Sequence, residues 1–386
     1  MVWICLALVP LAFVLSAGGC GAVRAVSLRR GLLDAAGSEA HKPAAARPVP
    51  NTGGVGVFWA VSAPLLAGAG LVAWSPVWLT EGLGPAAVHL PGLRASLPAL
   101  GWLLGAVGVL HVAGLIDDRR ALPPWPKLGL MLAVAGGVAG FGGTRLLSLL
   151  DGYGWPGAAA AVTLSVVWIV VMTNAMNFLD NMDGLCAGVA AVAAGLYLAA
   201  TLVSGQWFVA GLCALLLGAV LGFLVWNLPP ARLYLGDGGS LVVGLLLAVI
   251  AIRTAYFDST GGRDDVALPG AWYGLLMPLL VLAVPLYDFV SVVVIRLARG
   301  QSPMTGDHNH FSHRLLRRGL SKRGVLAVVL LATLATGAGG VMLGRLAGWQ
   351  AALVGVQAAA VVGVLALLEF GGDRGGEAAV KVPRTK

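Results

Sequence analysis

The sequence predicts an all-α fold, a polytopic membrane helix bundle of about eleven transmembrane helices, with the N-terminus outside and the C-terminus cytoplasmic. Three observations predict it. Of the 386 residues, 58% are hydrophobic and only 11% charged, against about 25% charged in a soluble domain. The mean hydropathy is +0.88, too high for a water-facing surface. The apolar runs are long and unbroken, where barrel strands would show about ten residues of alternation. A soluble enzyme, a disordered chain and a disulfide scaffold are thereby excluded. The 56 glycines and 20 prolines follow no fixed period, which excludes collagen.

Taken in order, the apolar runs fall at 2–22, 55–74, 95–116, 128–144, 157–173, 184–203, 207–226, 240–256, 271–294, 325–344 and 349–369. A span needs about 20 apolar residues, so the fourth and fifth runs are short. The sixth and seventh, joined by Ser204-Gly205-Gln206, form a tight hairpin. Cys20 after Ala17-Gly18-Gly19 resembles a lipoprotein signal only weakly. No basic residue precedes the first run, and Arg24, Arg29 and Arg30 follow it, the reverse of a signal peptide. Cys5, Cys186 and Cys213 also sit in or beside apolar runs and read as small core residues. With the N-terminus outside, 20 of the 25 basic residues fall on the cytoplasmic side, as the positive-inside rule requires. The net charge of +8 is therefore a topology signal and does not argue for nucleic acid. Residues 1–370 read as one integral-membrane domain and 371–386 as a disordered cytoplasmic tail.

Acids beside a membrane are costly, about 2.5–3.5 kcal/mol on insertion scales, and mark candidate sites. Asp117, Asp118, Asp180, Asp183, Asp237, Asp288 and Asp307 all fall at cytoplasmic helix ends or in cytoplasmic loops, whereas Asp258, Asp264 and Asp265 crowd one outside loop. Asp117-Asp118, followed by Arg119, Arg120 and Lys127, also fits a helix end reaching water. Residues 174–185 read NAMNFLDNMDGL: Asn174, Asn177, Asp180 and Asp183 are spaced by three and would share a helix face. Oxygen ligands on one face suit a hard cation such as Mg²⁺, which also recruits phosphates. Residues 227–240 read NLPPARLYLGDGGS: Pro229 and Pro230 stop a helix, and the glycines around Asp237 let backbone N–H groups approach a phosphate. Residues 300–323 hold His308, His310 and His313 with a run of Arg and Lys; this suits an anionic substrate, and equally a merely basic loop. Zinc is disfavoured by the lack of Cys and of an HExxH pair. Arg47 lies in a Pro/Gly-rich loop. The convergence on one side points to metal-dependent transfer of a phosphate-linked group onto a lipid phosphate.

These motifs resemble those of the polyprenyl-phosphate N-acetylhexosamine-1-phosphate transferases (glycosyltransferase family 4), membrane enzymes that include initiators of bacterial glycans and the lipid I synthase of peptidoglycan. The resemblance runs from about residue 30 to 325 through the DD pair, NxxNxxDxxDGL, the N-to-GD stretch, PLxD at 285–288 and SPxxxD…HxxH at 302–313. It implies a bundle of ten or eleven spans in the bacterial inner membrane, with a cytoplasmic site. The reaction implied joins a UDP-N-acetylhexosamine to polyprenyl phosphate and releases UMP, with Mg²⁺ or in its place Mn²⁺. It implies Asp237 as a metal ligand, with Asp117 beside it, and Asp117 with Asp118 as the base toward the acceptor phosphate. Asn177, Asp180 and Asp183 would orient metal and donor. Arg47, Asn227 and Tyr234 would hold the uridine, and His310 and His313 the diphosphate; Asn174, Lys127 and Arg314 complete the expected substrate contacts. Direct attack and a covalent Asp–phosphosugar intermediate both stay open, as does a homodimer.

The chain departs from the family pattern in places. Ala45 stands where the first loop usually has His, Ser312 replaces the middle His of HxHH, and Asn181 replaces a common Gly. The lysine that the lipid I synthase branch carries after the DD pair falls here near Ala121. These departures favour the undecaprenyl-phosphate N-acetylglucosamine-1-phosphate branch over lipid I synthesis. A transporter would show mid-membrane charges and inverted repeats, and neither is evident. A CDP-alcohol phosphotransferase would need Ala-Arg after DxxDG, where Leu185-Cys186-Ala187-Gly188 stands.

Overall fold

The computed structural model describes residues 1–31, 49–75, 77–255, 271–303 and 310–370. Arg47, His308 and Asp307, the outside acids 258–265 and the predicted tail 371–386 lie outside the described residues. The described residues form helices and connecting turns, with no strand among them. The helices are α1 (Val2–Arg30), α2 (Gly53–Trp74), α3 (Val77–Leu83), α4 (Leu90–Ala95), α5 (Leu97–Asp117), α6 (Pro124–Gly140), α7 (Trp155–Leu179), α8 (Leu185–Ser204), α9 (Trp207–Asn227), α10 (Asp237–Ala255), α11 (Met277–Val281), α12 (Ala283–Ala298), α13 (Phe311–Arg317), α14 (Lys322–Met342) and α15 (Gly348–Phe370).

Among the described residues, nine helices are long and apolar enough to cross a membrane, or ten if the bent pair Gly274–Val281 and Ala283–Ala298 is one span. The expected eleven differ for two physical reasons. The predicted run 271–294 is broken at Leu282 and bent by 67°. Pro285 has no N–H to donate to the Val281 carbonyl, so one straight helix cannot continue across the break. The predicted run 128–144 becomes α6, whose 17 residues are about 25 Å long, short of a hydrocarbon core of about 30 Å. The fifth run, expected to be short, extends to 25 residues in α7.

The centre of the bundle is α10. Nearly every side chain from Gly238 to Ile252 is buried, because α2, α5, α7, α8 and α9 surround it. A helix apolar all round belongs in such a place. Polar side chains within the spans return to the preceding turn: Ser165 Oγ donates to Ala161 O, Thr173 to Ile169 O, Thr201 to Tyr197 O and Thr333 to Val329 O. The hydrogens of these four hydroxyls are thereby satisfied, whereas the buried hydroxyls of Ser62 and Tyr197 have no hydrogen-bond partner among the described residues.

α1 packs along α9 through small residues. A Cβ on Gly218 would meet the Val9 carbonyl, and one on Gly222 the Phe13 carbonyl. These two glycines, four apart, bring the backbones together where lipid supplies no hydrophobic drive between helices. Trp226 Nε1 donates to Ala17 O at 2.9 Å and fixes the register. The last helix, α15, is peripheral and is held at its end by Glu369, which receives Arg314 Nη2 at 2.9 Å and the Tyr287 hydroxyl at 3.0 Å.

Because neighbouring helices alternate in direction, the ends of α5, α7 and α9 and the starts of α6, α8 and α10 share one end of the bundle. That end collects the acids and amides of the sequence motifs.

Gly222→Leu should force α1 off α9 and lower thermal stability in detergent by about 1–3 kcal/mol, the usual cost of overpacking. Gly18→Ala, whose added Cβ meets nothing within 4 Å, should not lower the unfolding midpoint, since alanine is the better helix former.

Candidate active site

The site is built on a lysine. Lys127, in the first turn of α6, places Nζ 2.6 Å from Asp117 Oδ2 and 2.6 Å from Asp237 Oδ2. One ammonium thus joins the last residue of α5 to the first of α10. Asp117 Oδ1 also accepts from Leu122 N at 2.5 Å. Asp237 Oδ1 accepts from Asn177 Nδ2 at 2.8 Å, and the same amide donates to Ser240 Oγ at 2.9 Å. Five residues from four helices therefore form one connected polar group. All of the motif acids and amides at its centre are only partly exposed.

Asp118 has a different task from its neighbour. Its Oδ1 accepts from Asp237 N at 2.8 Å and from Asn51 Nδ2 at 3.0 Å, and its Oδ2 from Gly238 N at 3.2 Å. It caps the positive end of α10. This corrects two expectations. Asp118 is committed to backbone N–H groups and does not stand beside Asp117 as a second base. The Gly-rich start of α10 does not offer its amides to a phosphate either: Gly239 N and Ser240 N bond to Gly236 O, and the first two amides belong to Asp118.

The glycines serve helix approach instead. A Cβ on Gly54 would strike Gly239 backbone, and one on Gly114 would strike Gly238 N and the Asp237 carbonyl group. Gly236 has φ +72°, a left-handed conformation that turns the chain into α10 and favours glycine. His111, buried and stacked on Phe58, hydrogen-bonds the Gly238 carbonyl through Nδ1 at 2.7 Å.

The predicted shared face of Asn174, Asn177, Asp180 and Asp183 is also corrected. α7 ends at Leu179, and Asp180 N bonds Asn177 O in a tight turn. Gly184, at φ +77°, then starts α8. Only Asn174 and Asn177 are helical, and the Asn174 amide returns to Val170 O at 2.8 Å. Asp183 Oδ2 lies 3.3 Å from Ala231 N and 3.5 Å from Lys322 Nζ, pinning the 228–236 loop and the start of α14. Asn227 is buried, accepting from Gly184 N at 2.8 Å and donating to Leu233 O at 2.9 Å. Its amide holds two turns together. Tyr234 sits in that loop, partly exposed, with its backbone bonded to Pro50 and Gly53.

A second cluster holds the histidine segment. Buried Asp288 accepts from His310 Nδ1 at 2.9 Å and from Phe311 N at 2.9 Å. The edge of His310 meets Phe178, next to Asn177, with centroids 5.5 Å apart, and His313 lies 6.4 Å from His310. The two clusters therefore adjoin at the end of α7. Arg296, over the Phe178 ring at 5.1 Å, donates to Pro303 O at 2.6 Å. Arg314, expected to contact substrate, is buried and bonded to Glu369 and Ser291; it anchors α15. Ser312 Oγ donates to Asn181 Oδ1 at 2.6 Å. Two of the positions where the chain departs from the family pattern thus touch each other. Asn51, His111 and Gly114 escaped sequence reasoning, because each is a single residue inside an apolar run or outside the motifs; Ser240 ends the 227–240 stretch but carries no charge to single it out.

No group of three or more His, Cys, Asp or Glu side chains among the described residues is arranged to hold a metal. Two carboxylate oxygens nevertheless converge on a single cation, the Lys127 ammonium. That donor set fits a hard divalent ion completed by water and phosphate oxygens.

The sequence model of glycosyl transferase family 4 matches residues 100–255, which contain Asp117, Lys127, Asn177 and Asp237. A decaprenyl-phosphate N-acetylglucosaminephosphotransferase of Mycobacterium tuberculosis (strain CDC 1551 / Oshkosh) is 30% identical over 299 residues, 74% of this chain and 69% of that protein. A Streptomyces coelicolor protein is 34% identical over 342 residues, covering 85% of this chain and 70% of its own length. An undecaprenyl-phosphate alpha-N-acetylglucosaminyl 1-phosphate transferase of Escherichia coli (strain K12) is 28% identical over 245 residues, 61% of this chain and 63% of its own. The fold and site thus define a polytopic helical bundle with a charged polar centre at one end of its long apolar helices. The chain belongs to glycosyl transferase family 4. It spans 60 to 70% of the length of the curated relatives it matches.

A double-mutant cycle on Asn181→Ala and Ser312→Ala, read by thermal unfolding, should give a coupling energy of about 0.5–1.5 kcal/mol, the range of one buried hydrogen bond. Additive effects would remove this link between α13 and the 180–184 turn.

Proposed function

We propose that this protein transfers N-acetylglucosamine-1-phosphate from UDP-N-acetylglucosamine to a polyprenyl phosphate (undecaprenyl phosphate) and releases UMP. The work is done at the cytoplasmic face of the inner membrane, and the product starts a lipid-linked cell-envelope glycan. The observation that carries this reading is the convergence of Asp117, Lys127, Asn177 and Asp237 at one end of the bundle. The names of the relatives point to the same acceptor and sugar.

In the reaction, an oxygen of the lipid phosphate forms a bond to the β-phosphorus of the donor. The phosphoanhydride bond breaks and its electron pair leaves with UMP. Asp117, Asp118 and Asp237 against Lys127 leave the centre formally negative, so two phosphate-bearing substrates need an added cation to approach it. Asp117 and Asp237 would hold Mg²⁺, or Mn²⁺ in its place; bound there, the ion neutralises diphosphate charge and eases departure of UMP. Asn177 keeps Asp237 in position, and Ser240 keeps Asn177. Asp117 accepts the acceptor's proton when the lipid phosphate arrives as its monoanion. Lys127 moves from carboxylates to phosphate oxygens as the substrates fill the centre.

His310, oriented through Nδ1 by Asp288, turns Nε2 toward the diphosphate. Tyr234 and Arg47 remain the proposed uridine contacts. The donor argument that rested on a missing lysine near Ala121 loses its force, since Lys127 brings an ammonium to the DD pair. Preference for N-acetylglucosamine over the muramyl-pentapeptide donor then rests on the histidine segment and on the relatives.

Membranes carrying the protein, given labelled UDP-N-acetylglucosamine, polyprenyl phosphate and Mg²⁺, should move label into organic extract. Asp237→Ala, Asp117→Asn and Lys127→Met should each lower the rate at least about 100-fold, the scale of a lost electrostatic contact to a reacting group, and EDTA should abolish it. Full transfer by Asp237→Ala in EDTA would contradict the proposal.

A further inference from the structure

The end of the bundle opposite this site holds a cavity that the proposed reaction does not use. Its volume is about 400 Å³, and it lies between the starts of α5 and α9, the segment 143–148 and the last turn of α10. Arg253 lines it from α10. This side chain is half-buried, and an arginine keeps its charge at any physiological pH. Arg253 Nη2 donates to Thr144 Oγ1 at 3.2 Å, and the guanidinium lies 5.7 Å from the centre of the Phe208 ring. Both partners are neutral. A guanidinium has five N–H donors, so most of those on Arg253 have no acceptor among the described residues.

The other wall carries Arg145, which donates to Asp151 Oδ2 at 3.2 Å and to the Ala139 carbonyl at 3.2 Å. Among the described residues the cavity rim is therefore net positive: two guanidinium groups against one carboxylate. Gln206 adds an amide to the lining. Exposed Phe141, Tyr153 and Trp155 stand at the same end, as aromatic side chains do at the level of lipid headgroups.

A charged guanidinium in a roomy cavity, held by one hydroxyl and one ring face, is arranged for an oxyanion that takes two of its parallel N–H bonds. We propose that this cavity binds a phosphate-bearing anion, supplied by an acidic phospholipid headgroup or as free phosphate. The inference is independent of the transfer reaction, since no residue of the candidate active site lines the cavity.

The test uses the purified full-length chain in detergent, with binding read as a ligand-dependent rise in the unfolding midpoint. The probes are dioctanoyl phosphatidylglycerol, dioctanoyl phosphatidylcholine and inorganic phosphate. The wild type should bind phosphatidylglycerol or phosphate saturably and in preference to phosphatidylcholine. Arg253→Gln should weaken that binding about tenfold or more, as expected for loss of a charge-assisted hydrogen bond, and Arg145→Gln should weaken it less. Binding of phosphatidylglycerol that millimolar phosphate does not displace assigns the headgroup; equal binding of phosphate alone assigns the free ion. No preference for the anionic probes, or wild-type affinity in Arg145→Gln and Arg253→Gln alike, would overturn the proposal. Should Arg253→Gln fail to fold, Arg145→Gln and the preference of the wild type decide.

Discussion

Two carboxylates on adjacent helices repel, and in a membrane protein there is little water to screen them. Here Asp117 closes α5 and Asp237 opens α10, and the Lys127 ammonium stands 2.6 Å from each. That single cation lets the two helix ends meet. The register of α10, the buried axis of the bundle, is then tied to α5 by this bridge and to the chain around it by the Asp118 cap. Capping of this kind stabilises a helix by roughly 0.5–2 kcal/mol. In this site the larger consequence is positional: the same two amides that the cap satisfies set where the Asp237 side chain points.

The remaining architecture follows from keeping charge at one end. Glycines at 54 and 114 allow α2 and α5 to approach the start of α10, closer than any side chain would permit. Most hydroxyls inside the spans fold back on their own helices, and the charged groups able to act on a ligand lie at the helix ends. Buried pairs away from the centre, Asp288 with His310 and Arg314 with Glu369, hold the histidine segment and α15 against the bundle. An ion pair in such a place specifies geometry more than it adds stability.

Much of this is legible in the sequence, because scarce charge in an apolar chain is informative wherever it falls. Most of the spans and the cluster of acids at one end follow from hydropathy and motif spacing, whereas the link from Asp117 to Asp237 comes only with the family resemblance. What was illegible depends on backbone direction. A spacing of three cannot reveal that α7 ends at Leu179, so the face predicted through Asp180 and Asp183 dissolves into a turn. Two adjacent aspartates look alike in sequence, yet the last turn of α5 sends one to Lys127 and the other to the amides of α10. The Gly-rich stretch before α10 reads as a phosphate cradle until Asp118 is seen to fill it. Arg314 reads as a ligand for phosphate because its partner, Glu369, is 55 residues away in an apolar run. The bend at Leu282 needed Pro285 to be weighed against the span around it.

The central claim is that the sugar travels with its phosphate. Donor labelled with ³²P at the β-position and with ³H in the sugar, incubated with the protein, polyprenyl phosphate and Mg²⁺, measures this directly. The account predicts that both labels enter the organic phase in equal amounts, with UMP released in the same quantity. Passage of ³H without ³²P, with UDP as the released nucleotide, would contradict it.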